Sequence, residues 1–513
     1  MLRKSNQGIY KLSLFIIGVL LFAASCKKDP KAKPDPTPNP NPVTATREEL
    51  TKDSIYLYAK ETYYWNDVLP SYEVFKPRGY AGFQEVLGGF TKIKIDPTTN
   101  KAIDKYSFLD DGSVAGELGG QGGDYGFSVF YNDANSGDLR IKYVYENSPA
   151  SSQELKRGYQ ITKINNRTDL VATAATLDFV SKAVFGSNAS ISLTLKKPDG
   201  SSVDVTVTRG QYSINPILFS KVYEVGAKKV GYIVFNSFTT NSATKLDAIF
   251  TEFTTAGISE VIVDLRYNGG GSVSTADVLT NLIAPSAKTG TVMYTTFWTK
   301  TMQDGAAKIL AFQPLLDNAG KLQPYTQGVN GKYATFADLD YRPLESADNV
   351  EKFAKRGATN ITRAYFIVSS STASASELVI NNLKPVMDVK LIGRKTYGKP
   401  VGFFAIGIDK LDMYIPQFET KNSLNQGGYF AGMAVDKDIF DDVTKDFGDP
   451  AELLLANALS YADKGSFLAV KPGGDRISSS GTFNRQEVER VNNQLDENEF
   501  KGMVETRRPK LKK

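Results

Sequence analysis

A repeated order of short apolar strand, loop and helix constrains the fold of this chain more than any other feature. Residues 230–235 and 261–265 are almost continuous apolar runs, which is typical of strands buried on both faces. Between them, apolar residues recur at helical spacing over residues 246–253. A third apolar run, residues 364–368, leads through a serine-rich loop into another helical segment. Strands that alternate with helices predict an α/β domain over residues 213–463.

The remaining segments differ in composition and in the spacing of their apolar residues, so the chain is predicted to be a multidomain α/β protein. Residues 46–115 carry apolar side chains at helical spacing and predict a small helical N-terminal domain. Residues 116–212 contain short strands and a closing hairpin, and they predict a separate β domain. Residues 464–513 are polar, and we expect this C-terminal tail to be loosely ordered.

The N-terminus has the composition of an export signal. Basic residues precede an apolar run over residues 12–24, which is too short for a stable membrane-spanning helix. Residues 1–25 resemble a bacterial lipoprotein signal, in which Cys26, the only cysteine, becomes the lipidated N-terminus. A plain signal peptide with an uninvolved cysteine is the alternative. Residues 26–45 are rich in proline and predict an extended, solvated linker.

These features predict where the protein resides and what it contacts. We expect an exported protein that a lipid anchor holds in the cell envelope, in the outer membrane, facing the periplasm or the cell surface. The net charge of +5 includes basic residues of the signal, and the other charges are interspersed. The sequence therefore gives no indication of a nucleic-acid partner.

The chain contains no histidine, and this absence decides which catalytic mechanisms are open to it. It excludes Ser-His and Cys-His catalysis and every histidine-based zinc site. A serine nucleophile then needs another base, and lysine can serve once burial has lowered its pKa. Ser374 in the serine-rich loop and Lys399 in an aromatic-rich stretch are the candidate nucleophile and base.

Backbone N–H groups near Ser374 are candidates for stabilising an oxyanion. Ser374 is predicted to stand at the start of a helix, where the N–H of Ala375 would be free to bind a negative oxygen. Gly270 and Gly271 follow the strand at 261–265 and offer a second wall without side chains. We expect the N–H of Ala375 and that of Gly270 or Gly271 to form the oxyanion hole.

These segments are compatible with two other interpretations. The serine-rich loop taken alone is compatible with an ordinary solvated loop. The glycines before Lys399 imitate a phosphate-binding loop, but Pro400 stands where a serine or threonine is required for magnesium. The sequence therefore predicts neither a nucleotide nor a metal, and no cofactor.

At the candidate nucleophile the chain resembles the carboxyl-terminal processing, or tail-specific, serine peptidases. The resemblance rests on Thr-Ala-Ser-Ala-Ser-Glu over residues 372–377, on Lys399 placed 25 residues after Ser374, and on Asp-Leu-Arg-Tyr-Asn-Gly-Gly-Gly over residues 264–271. It implies a crotonase-like α/β core with Ser374 as nucleophile and Lys399 as base. Two positions depart from the polar residues found in some relatives, namely Pro385 and Phe403.

Residues 116–212 resemble a PDZ domain, which precedes the core in this family. The resemblance rests on a glycine-phenylalanine strand, a Ser-Pro-Ala turn at residues 148–150 and the closing hairpin. It implies that the loop at Tyr125, Gly126 and Phe127 binds the C-terminal carboxylate of a peptide, while the peptide adds a strand to the sheet edge.

Together these features predict a cell-envelope serine endopeptidase that cleaves protein or peptide substrates, which it recognises through their C-termini. The alternative is a non-catalytic, peptide-binding lipoprotein that keeps the peptidase fold.

Overall fold

The computed structural model describes residues 45–97, 99–317, 319–469, 485–505 and 507–512. The predicted signal, Cys26 and nearly all of the proline-rich linker lie outside these residues. The described residues from Arg47 onward form one compact unit. Within the described residues, no helix combines the length and the apolar character that crossing a membrane requires.

The first elements pack on the rest of the molecule. They are α1 (Arg47–Thr62), α2 (Tyr72–Phe75), α3 (Phe83–Thr91), β1 (Phe108–Asp110) and α4 (Ser113–Leu118). Ile55 and Tyr56 of α1 belong to the same hydrophobic core as Phe250 and Leu378. The prediction of a separate helical domain over residues 46–115 is therefore corrected, because the apolar faces of these helices complete the main core.

The next elements form an antiparallel sheet with its own core. They are β2 (Gln121–Gly122), β3 (Phe127–Asp133), β4 (Asp138–Val144), α5 (Pro149–Ser152), β5 (Gln160–Ile164), α6 (Ala174–Val184), β6 (Ser190–Lys196), β7 (Ser202–Thr208) and β8 (Tyr212–Ser213). The five longer strands are ordered β3-β4-β5-β6-β7, so β3 and β7 are the edges. Alternate residues of β6 are buried, as expected for a sheet with one covered face. The assignment of this sheet to the PDZ domains stays a prediction.

The following elements build the α/β part of the molecule. They are β9 (Ile217–Val225), β10 (Lys228–Phe235), α7 (Ser242–Ala256), β11 (Glu260–Asp264), β12 (Gly270–Ser272), α8 (Val273–Ile283), β13 (Val292–Trp298), α9 (Lys300–Gln303), β14 (Val350–Lys352), β15 (Arg363–Val368), α10 (Ala375–Leu383), β16 (Asp388–Gly393), β17 (Val401–Gly402), β18 (Ile406–Ile408), β19 (Leu411–Tyr414), β20 (Phe418–Asn422), β21 (Lys437–Asp438) and α11 (Leu453–Lys464).

A six-stranded sheet at the centre of this part positions the candidate site. Its order is β21-β16-β15-β11-β10-β9, and its strands are parallel except for β9. The paired strands β11 and β15 are in register from Glu260 opposite Arg363 to Asp264 opposite Ile367. Their carboxyl ends therefore lie side by side, which brings the glycine turn after β11 next to the serine-rich loop after β15. The predicted mixed α/β architecture is confirmed.

The last described elements are α12 (Arg485–Leu495) and β22 (Gly502–Val504). Val488, Val491 and Leu495 are buried in the core of the antiparallel sheet, and Met503 is buried in the main core. The prediction of a loosely ordered tail is wrong for these residues. The composition is polar, but three apolar residues spaced for one helical face suffice to dock α12.

Candidate active site

Ser374 lies between β15 and α10, immediately before the first residue of the helix. Its backbone has φ 61° and ψ −110°, a conformation that costs a residue with a side chain about 1–3 kcal/mol. The side chain is fully buried, and among the described residues its Oγ has no hydrogen-bond partner. Strain and an unsatisfied hydroxyl both lower stability, and proteins retain such features mainly at functional sites.

Lys399 is also fully buried, and aromatic rings surround its amine. Nζ lies 3.8 Å from the ring centre of Phe403 and 5.4 Å from that of Tyr106. It donates a hydrogen bond of 2.7 Å to the carbonyl oxygen of Lys501. Burial lowers the pKa of Lys399 well below its ordinary value, and the Lys501 cation adds to this, while Asp104 and Glu377 oppose it. An amine in this setting loses its proton far more readily than a solvated lysine.

The carboxylate of Glu377 joins the segments that carry the two candidate catalytic residues. One oxygen, Oε2, accepts the backbone N–H of Ser374 at 2.9 Å and that of Lys399 at 2.8 Å. The other, Oε1, accepts the N–H of Gly398 at 2.8 Å and the hydroxyl of Thr396 at 2.5 Å. A single buried side chain thus fixes the backbone on both sides of the site.

The glycine turn lies against the start of α10, as the oxyanion-hole prediction requires. Gly270 has φ +109° and Gly271 has φ +135°, in the region that favours glycine. A Cβ placed on Gly270 would lie 3.0 Å from the backbone nitrogen of Ala375. However, the N–H of Gly270 donates to Oδ1 of Asn268 at 2.8 Å. Gly271 and Ala375 therefore remain the better candidates for oxyanion donors.

Asn268 ties the glycine turn to the serine-rich loop. Its carbonyl oxygen accepts the N–H of Ala373 at 3.1 Å and the hydroxyl of Ser376 at 3.0 Å. Its side-chain nitrogen donates to the carbonyl of Phe235 at 2.8 Å. Ser376 therefore has a structural partner, whereas the hydroxyl of Ser374 has none within the part of the chain that the structure describes.

Arg266, in the same turn, is a structural residue. Its side chain is 1% exposed and pairs with Asp264 at 2.7 Å, Asp441 at 2.6 Å and Glu452 at 3.0 Å. A buried guanidinium with three carboxylate partners fixes the chain as it leaves β11.

The positions that depart from the family pattern have different surroundings. Pro385 follows the end of α10, whereas Phe403 lies directly beside the amine of Lys399. Two functional contacts were not predicted from the sequence, namely the bonds of Glu377 to the backbone of Ser374 and Lys399, and the bond of the Lys399 amine to the carbonyl of Lys501. The acidic residue three positions after Ser374 was the signal for the first, and the sequence carries no comparable signal for the second.

Tyr125, Gly126 and Phe127, the predicted peptide-binding loop, are packed tightly. Gly126 has φ +80°, and a Cβ on it would lie 2.1 Å from Cβ of Ser148. The N–H of Gly126 donates to Oδ1 of Asp124 at 2.8 Å, so a peptide carboxylate would compete with this acid for the N–H. Phe127 lines a cavity of about 420 Å³ whose wall also includes Gly269 and Gly270. The antiparallel sheet and the glycine turn thus share one cavity.

Comparison with known proteins shows which family the segment around this site resembles. Residues 229–422 match the sequence model of peptidase family S41. The segment that carries the candidate site is therefore similar to peptidase family S41. The matched range contains the glycine turn, Ser374 and Lys399, and the resemblance to the carboxyl-terminal processing peptidases is confirmed.

Two curated relatives are similar over part of their length. A carboxyl-terminal-processing protease of Picosynechococcus is 26% identical over 212 residues, which is 41% of this chain and 39% of that protein. A Staphylococcus aureus protein described as a CtpA-like serine protease is 24% identical over 314 residues, or 61% of this chain and 52% of that protein. The chain thus spans about half the length of these relatives or less.

A solved structure shares the fold. The crystal structure of a protein assigned to the S41 proteases, from Bacteroides fragilis, matches with a TM-score of 0.51 and 21% sequence identity. The match covers 85% of this chain and 99% of the other. At this identity the likeness supports the fold of the S41 family.

Proposed function

We propose that this protein is a serine endopeptidase of the carboxyl-terminal processing type, with Ser374 as nucleophile and Lys399 as general base. The observation that carries the proposal is the joint setting of the two residues. Ser374 is strained and buried, and its hydroxyl has no partner among the described residues, while Lys399 is buried with a lowered pKa; the backbone N–H groups of both are fixed to one carboxylate, that of Glu377. This combination supplies a nucleophile and a base without histidine.

In the first half of the reaction, the neutral amine of Lys399 takes the hydroxyl proton of Ser374 as Oγ attacks the carbonyl carbon of a peptide bond. The negative oxygen of the tetrahedral intermediate accepts hydrogen bonds from the N–H groups of Gly271 and Ala375. The C–N bond then breaks, and the ammonium of Lys399 returns its proton to the leaving amine.

In the second half, Lys399 takes a proton from water as the water attacks the acyl ester on Ser374. Collapse of the second tetrahedral intermediate breaks the bond to Oγ and returns the proton to Ser374 through Lys399. A new C-terminal carboxylate leaves, and no metal or cofactor takes part in these steps.

The resemblance to relatives supports further parts of the proposal. The six-stranded sheet would be a crotonase-like core, and the antiparallel sheet a PDZ-like domain that takes up substrate C-termini. The cavity that Phe127 shares with Gly270 supports these roles, because it connects the sheet proposed to bind the substrate with the site proposed to cleave it. Cys26 and the residues before it support an exported lipoprotein of the cell envelope, anchored in the outer membrane.

A non-catalytic, peptide-binding lipoprotein is the second candidate. It is favoured by one observation, namely that Nζ of Lys399 bonds to the Lys501 carbonyl while Oγ of Ser374 has no partner among the described residues. In that arrangement the serine and lysine are not hydrogen-bonded to each other.

Cleavage of an unfolded protein separates the two functions. The chain from Lys27 onward is incubated with casein, beside Ser374→Ala and the matched control Ser376→Ala. Cleavage that is lost in Ser374→Ala and retained in Ser376→Ala supports the peptidase, because the hydroxyl of Ser376 is engaged with Asn268. Cleavage that persists in Ser374→Ala refutes the proposed nucleophile.

A further inference from the structure

Residues 485–505, called here the C-terminal segment, comprise α12 and β22, and the short strand β22 passes through the candidate active site. β22 pairs in parallel with β12, with Gly270 opposite Gly502. The N–H of Gly502 donates to the carbonyl of Gly269 at 3.0 Å. On the other side, the N–H of Phe403 donates to the carbonyl of Met503 at 3.0 Å. The strand therefore lies between two walls of the site, and backbone hydrogen bonds hold it there.

The glycine turn fits this strand closely. A Cβ on Gly269 would lie 2.0 Å from the carbonyl oxygen of Phe500, and one on Gly270 would lie 2.3 Å from that of Gly502. The same Cβ on Gly270 would be 3.0 Å from the nitrogen of Ala375. The carbonyl of Gly502 thus lies beside the candidate oxyanion donors, where the carbonyl of a substrate is expected.

The C-terminal segment also engages the base. Nζ of Lys399 donates to the carbonyl of Lys501, the residue before Gly502, at 2.7 Å. The amine is thereby directed to the segment, while Oγ of Ser374 has no hydrogen bond to any described residue. The segment occupies the partners that a peptide substrate would use on both sides of the nucleophile.

The same segment covers the edge of the antiparallel sheet. Asn492 of α12 accepts the N–H of Tyr131 at 2.8 Å and donates to its carbonyl at 2.9 Å. Tyr131 belongs to the edge strand β3, so the Asn492 side chain takes the place of an added strand. The ammonium of Lys142, which is 1% exposed, pairs at 2.8 Å with both Asp496 and Glu499.

The geometry points to an intramolecular inhibitor. The C-terminal segment occupies both the groove between the glycine turn and Phe403, where a substrate is expected to bind, and the edge of the antiparallel sheet. It must leave both places before a peptide can be cleaved. The inference rests on the proposed function. Most contacts in the groove are made by backbone groups, which any extended peptide can offer. Because the segment belongs to the same chain, its effective concentration is high, and a substrate in solution competes at a disadvantage.

Two variants of the full chain from Lys27 onward weaken docking without touching the catalytic residues. Asn492→Ala/Glu499→Gln removes the bonds to Tyr131 and reduces the pairing with Lys142. Met503→Asp is the stronger variant, because docking would bury an unpaired carboxylate. Arg490→Ala is the matched control, since Arg490 lies on the same helix, is 56% exposed and pairs with Glu487. Circular dichroism checks that each variant folds.

Release of the C-terminal segment is measured first, in the Ser374→Ala background. Hydrogen exchange of the Gly502 and Glu505 amides is expected to be at least tenfold faster in both docking variants and unchanged in Arg490→Ala. Casein cleavage with Ser374 restored is then expected to be at least tenfold faster in the same two variants. The inference is overturned if the wild type cleaves casein and a folded docking variant shows faster exchange but cleaves casein no faster than the wild type. So does unchanged exchange in Met503→Asp, because it means that the segment stays docked with a buried charge.

A binding assay needs no catalysis and separates the two proposals. A fluorescent peptide with the sequence of residues 485–505 is added to Met503→Asp in the Ser374→Ala background. Casein is expected to displace the bound peptide competitively. Displacement without cleavage in any variant supports the inference and counts against the proposed peptidase. Casein binding that leaves the peptide in place overturns the inference.

Discussion

Glu377→Gln tests whether one carboxylate holds the nucleophile and the base in place. The carboxylate accepts four hydrogen bonds, three of them from backbone N–H groups. A glutamine has one acceptor oxygen, so at least one backbone N–H then faces an NH₂ group. If the amide oxygen keeps the N–H groups of Ser374 and Lys399, that of Gly398 is left without an acceptor.

The expected loss of stability follows from these contacts. An unsatisfied buried N–H costs about 1–3 kcal/mol, and the bonds that remain lose their charge assistance. We therefore expect the free energy of unfolding to fall by about 3 kcal/mol. A small displacement of the catalytic groups can cost about 100-fold in rate, so we expect casein cleavage to fall at least that far.

Urea unfolding followed by the fluorescence of the two tryptophans measures the first effect. Glu345→Gln is the matched control, because Glu345 is 68% exposed and pairs only with the partly exposed Lys352 among the salt bridges of the described residues. The control should change stability by less than about 0.5 kcal/mol. A Glu377→Gln protein that is as stable as this control and cleaves casein at the wild-type rate would refute the reasoning.

Three further predictions concern the oxyanion wall, the substrate and the anchor. Gly270→Ala should abolish cleavage, because the residue has φ +109° and a Cβ would lie 3.0 Å from the nitrogen of Ala375. A folded variant that cleaves at the wild-type rate would argue against the glycine turn as part of the oxyanion hole. A protein that ends in apolar residues should be cleaved faster than the same protein ending in charged ones, and equal rates by the intact enzyme would count against recognition of C-termini. Cys26→Ser should remove the acyl mass from the mature N-terminus and leave the protein in the soluble fraction with unchanged specific activity. Detecting no acyl mass on the wild-type protein would contradict the lipoprotein prediction.

The strand-loop-helix arrangement around Ser374 could be predicted because its signals are local. Continuous apolar runs identify strands that are buried on both faces, and small residues after them indicate where the chain turns. Parallel pairing of the strands at 261–265 and 364–368 then brings their loops together. The position of Lys399 followed from the family spacing, and its burial followed from its aromatic neighbours.

The packing partners could not be predicted, because a sequence pattern shows which face is apolar but not what covers it. The helix α1 was expected to build a separate domain, yet Ile55 and Tyr56 complete the main core. The C-terminal segment was expected to be loosely ordered because its composition is polar. Val488, Val491 and Leu495 were the signal that α12 docks, and three residues are weak evidence for a helix.

Labelling of Ser374 by a fluorophosphonate at different pH values tests the central claim most directly. The reagent reacts only with a serine whose hydroxyl is activated, so it reports the nucleophile and its base without a protein substrate. The Asn492→Ala/Glu499→Gln background keeps the C-terminal segment from masking the site. The label is located by mass spectrometry of the peptide that contains residue 374.

We expect one label, on Ser374, and a labelling rate that rises with pH as Lys399 loses its proton. Because burial lowers the pKa of Lys399, the midpoint should lie well below 10.5, the ordinary value for a lysine. Lys399→Ala should remain unlabelled across the same range. Labelling of Lys399→Ala at the rate of the parent protein, or a rate that does not change between pH 5 and the alkaline limit, would contradict the Ser374–Lys399 mechanism.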